Sequence, residues 1–246
     1  MTARLFHGDD KCVGNITSCG TESLMLAMRT YRDYRGGRKQ IIMCTTGHPA
    51  INKGLHFAGM EAIQIPYDEK KRMSIKHLKK AINSNICVVV CSAPQYPHGV
   101  IDDVEEIAKI CKSYGVPCHV DSAIGGYILP FIEMERPGTI KPWDFRCDGV
   151  TSINADLHKY GYAPKGSASL VFNSSAIRRH QFFAFSTWPG GLFIAPTILG
   201  SKNGGTFSSA WGSLLHLGVK GFRETTKRVL ETRDKLVDFI EKEDEL

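Results

Sequence analysis

Long apolar runs and a strong excess of one charge are both missing from this sequence. No run approaches the ~20 residues of a membrane-spanning helix, and residues 1–10 lack the apolar block of a secretory signal. The 31 lysines and arginines barely outnumber the 25 aspartates and glutamates, and the basic residues are scattered along the chain. We therefore expect no membrane span in this chain and no nucleic acid among its partners.

Paired cysteines are also missing. The eight cysteines stand singly, without a Cys-x-x-Cys pair, so their spacing argues against a zinc site and against a disulfide framework. Several lie in apolar runs such as 86–91, where a reduced cysteine packs as a small hydrophobic residue. This usage is typical of a reducing compartment, and we predict no metal site.

The length and the periodicity indicate the fold class. A chain of 246 residues with 42% hydrophobic residues can bury a large core as one domain. Apolar runs alternate with amphipathic helical patterns, which predicts an α/β fold with a mostly parallel sheet and helices on both faces. Helices are expected from residue 20 and over 49–58, 74–82 and 104–114, and strands over 40–44, 61–65, 86–91, 117–121, 149–153 and 169–172, the last at the far edge. From residue 207 a long helical pattern runs nearly to the C-terminus.

In an open α/β sheet, ligands bind beyond the carboxyl ends of the strands. Two segments placed there could hold the phosphate and the ring of a cofactor. The turn 17–23, with Gly20 and Thr21, opens a helix whose free N–H groups could bind phosphate, although an ordinary Ser/Thr helix cap explains the same residues. His48 could stack on a planar ring, although a helix-capping or solvent-facing histidine is the more common outcome.

Two other segments at the same edge offer an acid and an amine. Asp121 ends an apolar strand and precedes small residues that would let a flat ring approach the backbone; a lone aspartate there is more often a helix cap or a metal ligand. Lys159 follows the strand 149–153 and precedes an aromatic, Gly/Pro-rich turn that would carry it into a cleft. A partly desolvated lysine amine is a nucleophile that forms Schiff bases.

These four features together match what pyridoxal 5'-phosphate requires of a protein. Its phosphate needs a helix N-terminus, its ring a stacking partner, its pyridine nitrogen an acid and its aldehyde a lysine. No other common cofactor needs all four groups. The sequence therefore predicts pyridoxal 5'-phosphate as the cofactor.

Several longer motifs extend over almost the whole chain. They are T-S-C-G-T-E-S at 17–23, H-P-A-I-N-K at 48–53, P-Q-Y-P-H-G-V-I-D at 94–102, H-V-D-S at 119–122, N-A-D-L-H-K-Y-G-Y-A-P-K-G-S at 154–167, and the segment 188–205. At these positions the sequence resembles the group II pyridoxal-phosphate-dependent decarboxylases of fold type I and, among them, the sphingosine-1-phosphate lyases. The family's S-A-D-x-H-K motif stands here as 154–159. Cys19, Ser122, Phe193 and Asn203 depart from the family's glycine, alanine, tyrosine and proline.

The resemblance implies a role for each matching residue. Lys159 would form the Schiff base with the cofactor, Asp121 would face the pyridine nitrogen, and His48 would stack on the ring. Lys159, freed as an amine, and His158 are both candidates for the general base. The identity of that base stays open.

The same resemblance implies the phosphate contacts and an assembly. Gly20 and Thr21 would hold the cofactor phosphate, with His158 nearby. Gly204 and Gly205 would approach a phosphate site from the neighbouring subunit of a homodimer.

The reaction implied is cleavage of a phosphorylated long-chain base into a fatty aldehyde and phosphoethanolamine. An amino-acid decarboxylase of the same family, or an inactive truncated chain that pairs with a full-length subunit, are the alternatives. Because the family's chains are longer, we expect a cofactor-binding large domain at 1–205 and a helix at 206–246 that leads toward an absent small C-terminal domain. The longer parent would be associated with the endoplasmic reticulum membrane on its cytoplasmic side.

Overall fold

A single seven-stranded sheet organises the protein, whose computed structural model describes residues 1–243. Its strands are β1 (Val13–Thr17), β2 (Gln40–Cys44), β3 (Glu61–Ile65), β4 (Ile86–Ser92), β5 (Cys118–Asp121), β6 (Val150–Ala155) and β7 (Ala168–Phe172), in the order β1-β7-β6-β5-β4-β2-β3. Strands β2 to β6 pair in parallel, and β7 runs antiparallel to both of its neighbours. The predicted α/β class with a mostly parallel sheet is confirmed.

Eight α-helices, a 3-10 helix at Arg179–Gln181 and a small hairpin complete the secondary structure of the described residues. The helices are α1 (Thr2–Leu5), α2 (Gly20–Tyr34), α3 (Pro49–Ala58), α4 (Ile75–Ala81), α5 (Val104–Ser113), α6 (Leu129–Glu135), α7 (Ser175–Arg178) and α8 (Gly204–Ile240). Strands β8 (Phe183–Phe185) and β9 (Phe193–Ala195) pair only with each other. Helix α8 is broken at Gly218, whose φ of 53° is not helical. Residues 244–246 of the predicted C-terminal segment lie outside the described part, and the division at residue 205 stays a prediction.

Strand β4 shows why the sheet is covered on both faces. All seven of its residues are buried. Val88 and Val90 pack in the cluster beneath α2 and α3, whereas Val89 and Cys91 pack in the cluster beneath α4 and α5. Side chains of a strand alternate between the two faces, so a strand with two buried faces must be apolar throughout. Each fully buried valine contributes about 1.5–3 kcal/mol of hydrophobic stabilisation.

The far edge of the sheet is β1, so the prediction that residues 169–172 form that edge is wrong. Those residues belong to β7, which lies between β6 and β1. The sequence of β1, with Gly14 and Asn15, has residue types that are depleted in strands, which is why periodicity missed it. Position 14 requires glycine because β7 lies close to it: a Cβ atom there would lie 2.4 Å from the carbonyl oxygen of Leu170.

The direction of the strands brings five connections to the same end of the sheet, where the carboxyl ends of β1 and β2 to β6 lie. Because β1 is antiparallel to β7, it runs in the same direction as β2 to β6. The segments that follow β1, β2, β4, β5 and β6 therefore all begin at this carboxyl end of the sheet. Among residues 1–243, no helix combines the length and apolar character required to cross a bilayer.

Candidate active site

A cavity of about 440 Å³ opens at the edge where these strands end. A volume of this size is typical of small-molecule and cofactor sites. Most of the predicted site residues line it, namely Gly20, Thr21, His48, Asp121, His158 and Lys159. Gly204 and Gly205 are not among the lining residues; they form the first turn of α8, where the N–H of Gly205 donates to the Asn203 side chain at 2.9 Å.

The N-terminus of α2 forms one wall of the cavity. Cys19 is the N-cap residue in an extended conformation, and no side-chain hydrogen bond caps the helix. The alternative of an ordinary Ser/Thr cap is therefore wrong, and the first-turn N–H groups stay available to an anion. Gly20 keeps this wall open, because a Cβ atom there would lie 2.8 Å from Oδ1 of Asp156. The open turn fits the phosphate of the predicted cofactor.

Behind this turn, Glu22 is a buried carboxylate with a structural task that the sequence did not reveal. Its Oε2 accepts from the N–H of Ser18 at 2.6 Å. Its Oε1 accepts from the N–H groups of Ile198 and Leu199 at 3.2 and 3.4 Å. Glu22 thus connects the turn that precedes α2 to the segment that leads into α8.

Lys159 lies at the cavity in the turn after β6. Its Nζ is 3.0 Å from Oδ2 of Asp156, a carboxylate that is almost completely buried. The second oxygen of Asp156, Oδ1, has no hydrogen-bond partner among the described residues. Burying a carboxylate is costly unless it is paired, so the ammonium of Lys159 stabilises Asp156 in this position.

His158 lies near the same oxygen of Asp156. Its Nδ1 donates to the carbonyl oxygen of Ser167 at 2.7 Å, which leaves Nε2 facing Oδ2 of Asp156 at 3.5 Å. Both candidate bases, Lys159 and His158, therefore lie near the carboxylate of Asp156.

Asp121 ends β5 and faces the cavity while 6% exposed. Its Oδ1 accepts from the N–H of Ala123 and from Nδ2 of Asn154, each at 3.1 Å. Both hydrogen bonds that the Asp121 side chain accepts within residues 1–243 go to Oδ1, which leaves Oδ2 for a ligand. A carboxylate held in this way fits a protonated ring nitrogen.

His48 caps a helix and also lines the cavity. It is the N-cap of α3, where its Nδ1 accepts from the N–H of Ala50 at 3.1 Å and Pro49 occupies the first turn. The imidazole also lines the cavity. One histidine can therefore cap a helix and present a ring to a bound ligand.

The loop after β4 closes another side of the cavity with Pro94, Gln95 and Tyr96. Ser122, which departs from the family's alanine, donates to the carbonyl oxygen of Ala93 at 2.6 Å. This bond fastens the loop to the residue that follows Asp121. The departure thus has a structural role next to the site.

Among the site residues that sequence reasoning missed, Asp156 had a local signal and Asn154 did not. Asp156 lies three positions before Lys159, a spacing that brings side chains together in a helical turn. Asn154 reaches Asp121 from the neighbouring strand, where the two residues are in register. Such a contact between strands can be recognised only when the order of the strands is known. No cluster of three or more metal-binding side chains occurs in the described part of the chain.

Comparisons with known proteins agree with this geometry. The family model described as the pyridoxal-dependent decarboxylase conserved domain matches residues 6–246. Sphingosine-1-phosphate lyase 1 of Rattus norvegicus is 41% identical over 245 residues, covering 98% of this chain and 43% of the rat protein. Sphingosine-1-phosphate lyase of Arabidopsis thaliana is 39% identical over 256 residues, covering all of this chain and 47% of the plant protein. The chain thus spans less than half the length of these two relatives.

Solved structures give the same result. The sphingosine-1-phosphate lyase of Burkholderia pseudomallei aligns with a TM-score of 0.90 and 35% identity over 94% of this chain and 56% of that one. A glutamate decarboxylase of Lactobacillus brevis aligns with a TM-score of 0.78 at 23% identity, over 92% of this chain and 55% of that one, which shows the fold alone. With a family model that matches nearly its whole length, this chain belongs to the pyridoxal-dependent decarboxylase family.

Proposed function

We propose that this chain carries the cofactor-binding face of a carbon-carbon lyase that cleaves phosphorylated sphingoid bases into a fatty aldehyde and phosphoethanolamine. The observation that carries this proposal is that the amine of Lys159 and the buried carboxylate of Asp121 line one cavity beside the open N-terminus of α2. The relatives named as sphingosine-1-phosphate lyases favour the substrate class.

Each lining residue has a distinct part in holding pyridoxal 5'-phosphate. Lys159 would bond to its aldehyde, and the N–H groups of Gly20 and Thr21 would bind its phosphate, with His158 nearby. His48 would lie against the ring, and Asp121 would face the pyridine nitrogen. The bound cofactor supplies an electron sink for the pair released when the Cα–Cβ bond of the substrate breaks.

Two residues of this chain, His158 and Lys159, are positioned for proton transfer. Nδ1 of His158 is held by the carbonyl of Ser167, so Nε2 is the nitrogen that can exchange a proton. Lys159 and His158 are the two candidates to accept the proton of the substrate C3 hydroxyl. Asp156 lies within 3.0 Å of one and 3.5 Å of the other, so it stabilises positive charge on whichever group holds the proton.

A homodimer is part of the proposal. The hairpin β8–β9 and its flanks leave large apolar side chains exposed, namely Phe183, Phe185, Trp188, Leu192, Phe193 and Ile194. Contiguous exposed apolar surface of this kind marks an interaction surface. In a dimer, this surface would be covered and Gly204 and Gly205 would approach the partner's site. We also propose that a longer parent protein is associated with the endoplasmic reticulum membrane.

Borohydride trapping tests the cofactor and the lysine together. The purified chain is incubated with pyridoxal 5'-phosphate, reduced, digested and analysed by mass spectrometry. We expect the label on Lys159, and we expect its loss in Lys159→Arg but not in Lys165→Arg, a change at an exposed lysine of the same turn. A label that persists in Lys159→Arg would contradict the assignment.

The reaction is tested by the product. A phosphorylated sphingoid base should yield a long-chain aldehyde, measured as its hydrazone. Release of carbon dioxide from an amino acid, with no aldehyde from the phosphorylated base, would instead indicate an amino-acid decarboxylase.

A further inference from the structure

A continuous line of hydrogen-bonded side chains, most of them fully buried, ends on Asp121. We call it the Asp121 relay; its members are Tyr31, Ser152, His119, Asn154 and Asp121. The hydroxyl of Tyr31 is 2.6 Å from Oγ of Ser152, and Ser152 Oγ is 2.6 Å from Nδ1 of His119. Nε2 of His119 is 2.9 Å from Oδ1 of Asn154, and Nδ2 of Asn154 is 3.1 Å from Oδ1 of Asp121.

The chemistry of the groups determines the direction of the hydrogen bonds from Ser152 to Asp121. An ionised carboxylate only accepts, so the Asn154 amide must present its Nδ2 to Asp121 and its Oδ1 to His119. His119 must then carry its proton on Nε2, and Nδ1 accepts from the hydroxyl of Ser152. The oxygen of Ser152 can accept from the hydroxyl of Tyr31, which also lies 2.6 Å from Oγ1 of Thr151. From Ser152 onward, every donor points toward Asp121.

The charge state of His119 agrees with this direction. Burial lowers the pKa of His119 to about 4, although Asp121 and Asn154 act in the opposite sense. The imidazole is therefore neutral at neutral pH and can be both donor and acceptor. Burial also raises the pKa of Tyr31, so its hydroxyl keeps its proton.

Asn154 is the member of the relay that joins His119 to Asp121. It is fully buried, and it stands in register with Asp121 on the neighbouring strand. An amide can accept from His119 and donate to Asp121 through two separate atoms. The serine of the family's S-A-D-x-H-K motif at this position has a single, shorter hydroxyl. The direct link from His119 to Asp121 therefore depends on asparagine.

We propose that Asn154 is a positioning residue, which holds the carboxylate of Asp121 turned so that its free Oδ2 faces the ring nitrogen of the cofactor. This inference rests on the proposed function, because the cofactor is the ligand that needs a carboxylate in this place. Asn154 acts through Asp121 and does not itself line the cavity.

Affinity for the cofactor gives the first test. Asn154→Asp keeps the shape of the side chain, but it removes the donor and places a second carboxylate beside Asp121. We expect the dissociation constant for pyridoxal 5'-phosphate, measured by quenching of tryptophan fluorescence, to rise about tenfold or more. Asn173→Asp, the same change at a residue that bonds the carbonyl of Val150 outside the relay, should stay within about twofold of the unchanged protein. Equal affinity in the two variants overturns the proposal.

A second measurement keeps the proposal testable if Asn154→Asp does not fold or the protein does not bind the cofactor. In the cofactor-free protein labelled with 15N-histidine, the resonances absent in His119→Gln identify His119. We expect a neutral ring protonated on Nε2 at about pH 7.5. A ring protonated on Nδ1, or a charged ring, overturns the relay. Failure of cofactor binding alone refutes the proposed function and leaves this result intact.

Discussion

Oδ2 of Asp156 lies 3.0 Å from Nζ of Lys159, and Oδ1 of the same carboxylate faces Gly20 across the N-terminus of α2. Asp156, which pairs with the amine of Lys159, thus also limits the space at Gly20. A substitution at Gly20 should therefore disturb the contact of Asp156 with Lys159, because Asp156 is buried and has little room to move.

Gly20→Ala should weaken cofactor binding through Asp156. The added Cβ would lie 2.8 Å from Oδ1 and 3.1 Å from Oδ2, so the carboxylate must turn away and its ion pair with Lys159 breaks. We expect affinity for pyridoxal 5'-phosphate to fall about tenfold, measured by the fluorescence titration. Gly212→Ala in α8 is the control, because no atom lies within 4 Å of its added Cβ. That change should stabilise the helix by up to about 1 kcal/mol and leave binding unaltered; equal effects of the two alanines would refute the steric explanation.

Two substitutions can separate the helix cap made by His48 from the proposed stacking of its ring. His48→Asn keeps a side-chain oxygen that can cap α3 but removes the ring, so we expect normal thermal stability and weaker cofactor binding. His48→Phe keeps a ring but loses the acceptor for the N–H of Ala50, so we expect stability to fall by about 1 kcal/mol while binding is better preserved. Melting temperatures and cofactor titrations on both variants measure this. If both variants lose binding equally, the ring does not contribute by stacking.

The sequence predicted six of the seven strands of the sheet, including the border strand β3, and missed the other border strand. Strand β2 and helix α3 were predicted with the residues that the structure shows, because their apolar periodicity and their Gly or Pro boundaries are local signals. Strand β1 and the hairpin β8–β9 were missed. Strand β1 is stabilised by pairing with β7, a contact distant in sequence that leaves no local pattern.

The same distinction applies to the site. The sequence identified Gly20, Asp121 and Lys159 because each follows a strand, and the topology brings those ends together. It gave no role to Glu22 and Asn154, since their partners lie on segments that only the folded sheet places beside them. Residues that line the cavity were easier to predict than the residues that hold them in place.

Glu22→Ala should release the segment that precedes α8. Three backbone N–H groups, those of Ser18, Ile198 and Leu199, lose their acceptor, and we expect stability to fall by about 2 kcal/mol or more. Chymotrypsin should cleave faster after Leu199, as followed by mass spectrometry. Glu224→Ala, at an exposed glutamate of α8, should change neither rate nor stability. Unchanged cleavage in Glu22→Ala would show that other contacts hold this segment.

Acid should destabilise the protein through His119. Because burial lowers the pKa from 6.5 to about 4 in the folded state, the unfolded chain binds more protons over that range. The contribution of His119 is therefore fully present above pH 6.5 and is lost as the pH falls toward about 4, by about 3 kcal/mol in total. Between about pH 7.5 and pH 5.5, roughly 1 kcal/mol should be lost, measured by urea unfolding.

A matched substitution isolates this histidine from the other groups that titrate in the same range. His119→Gln removes the ionisable ring, so its free energy of unfolding should fall less between about pH 7.5 and pH 5.5 than that of the unchanged protein. His216→Gln, at an exposed position of α8, should retain the full dependence. If all three proteins lose the same stability on acidification, His119 is not the buried neutral group that the relay requires.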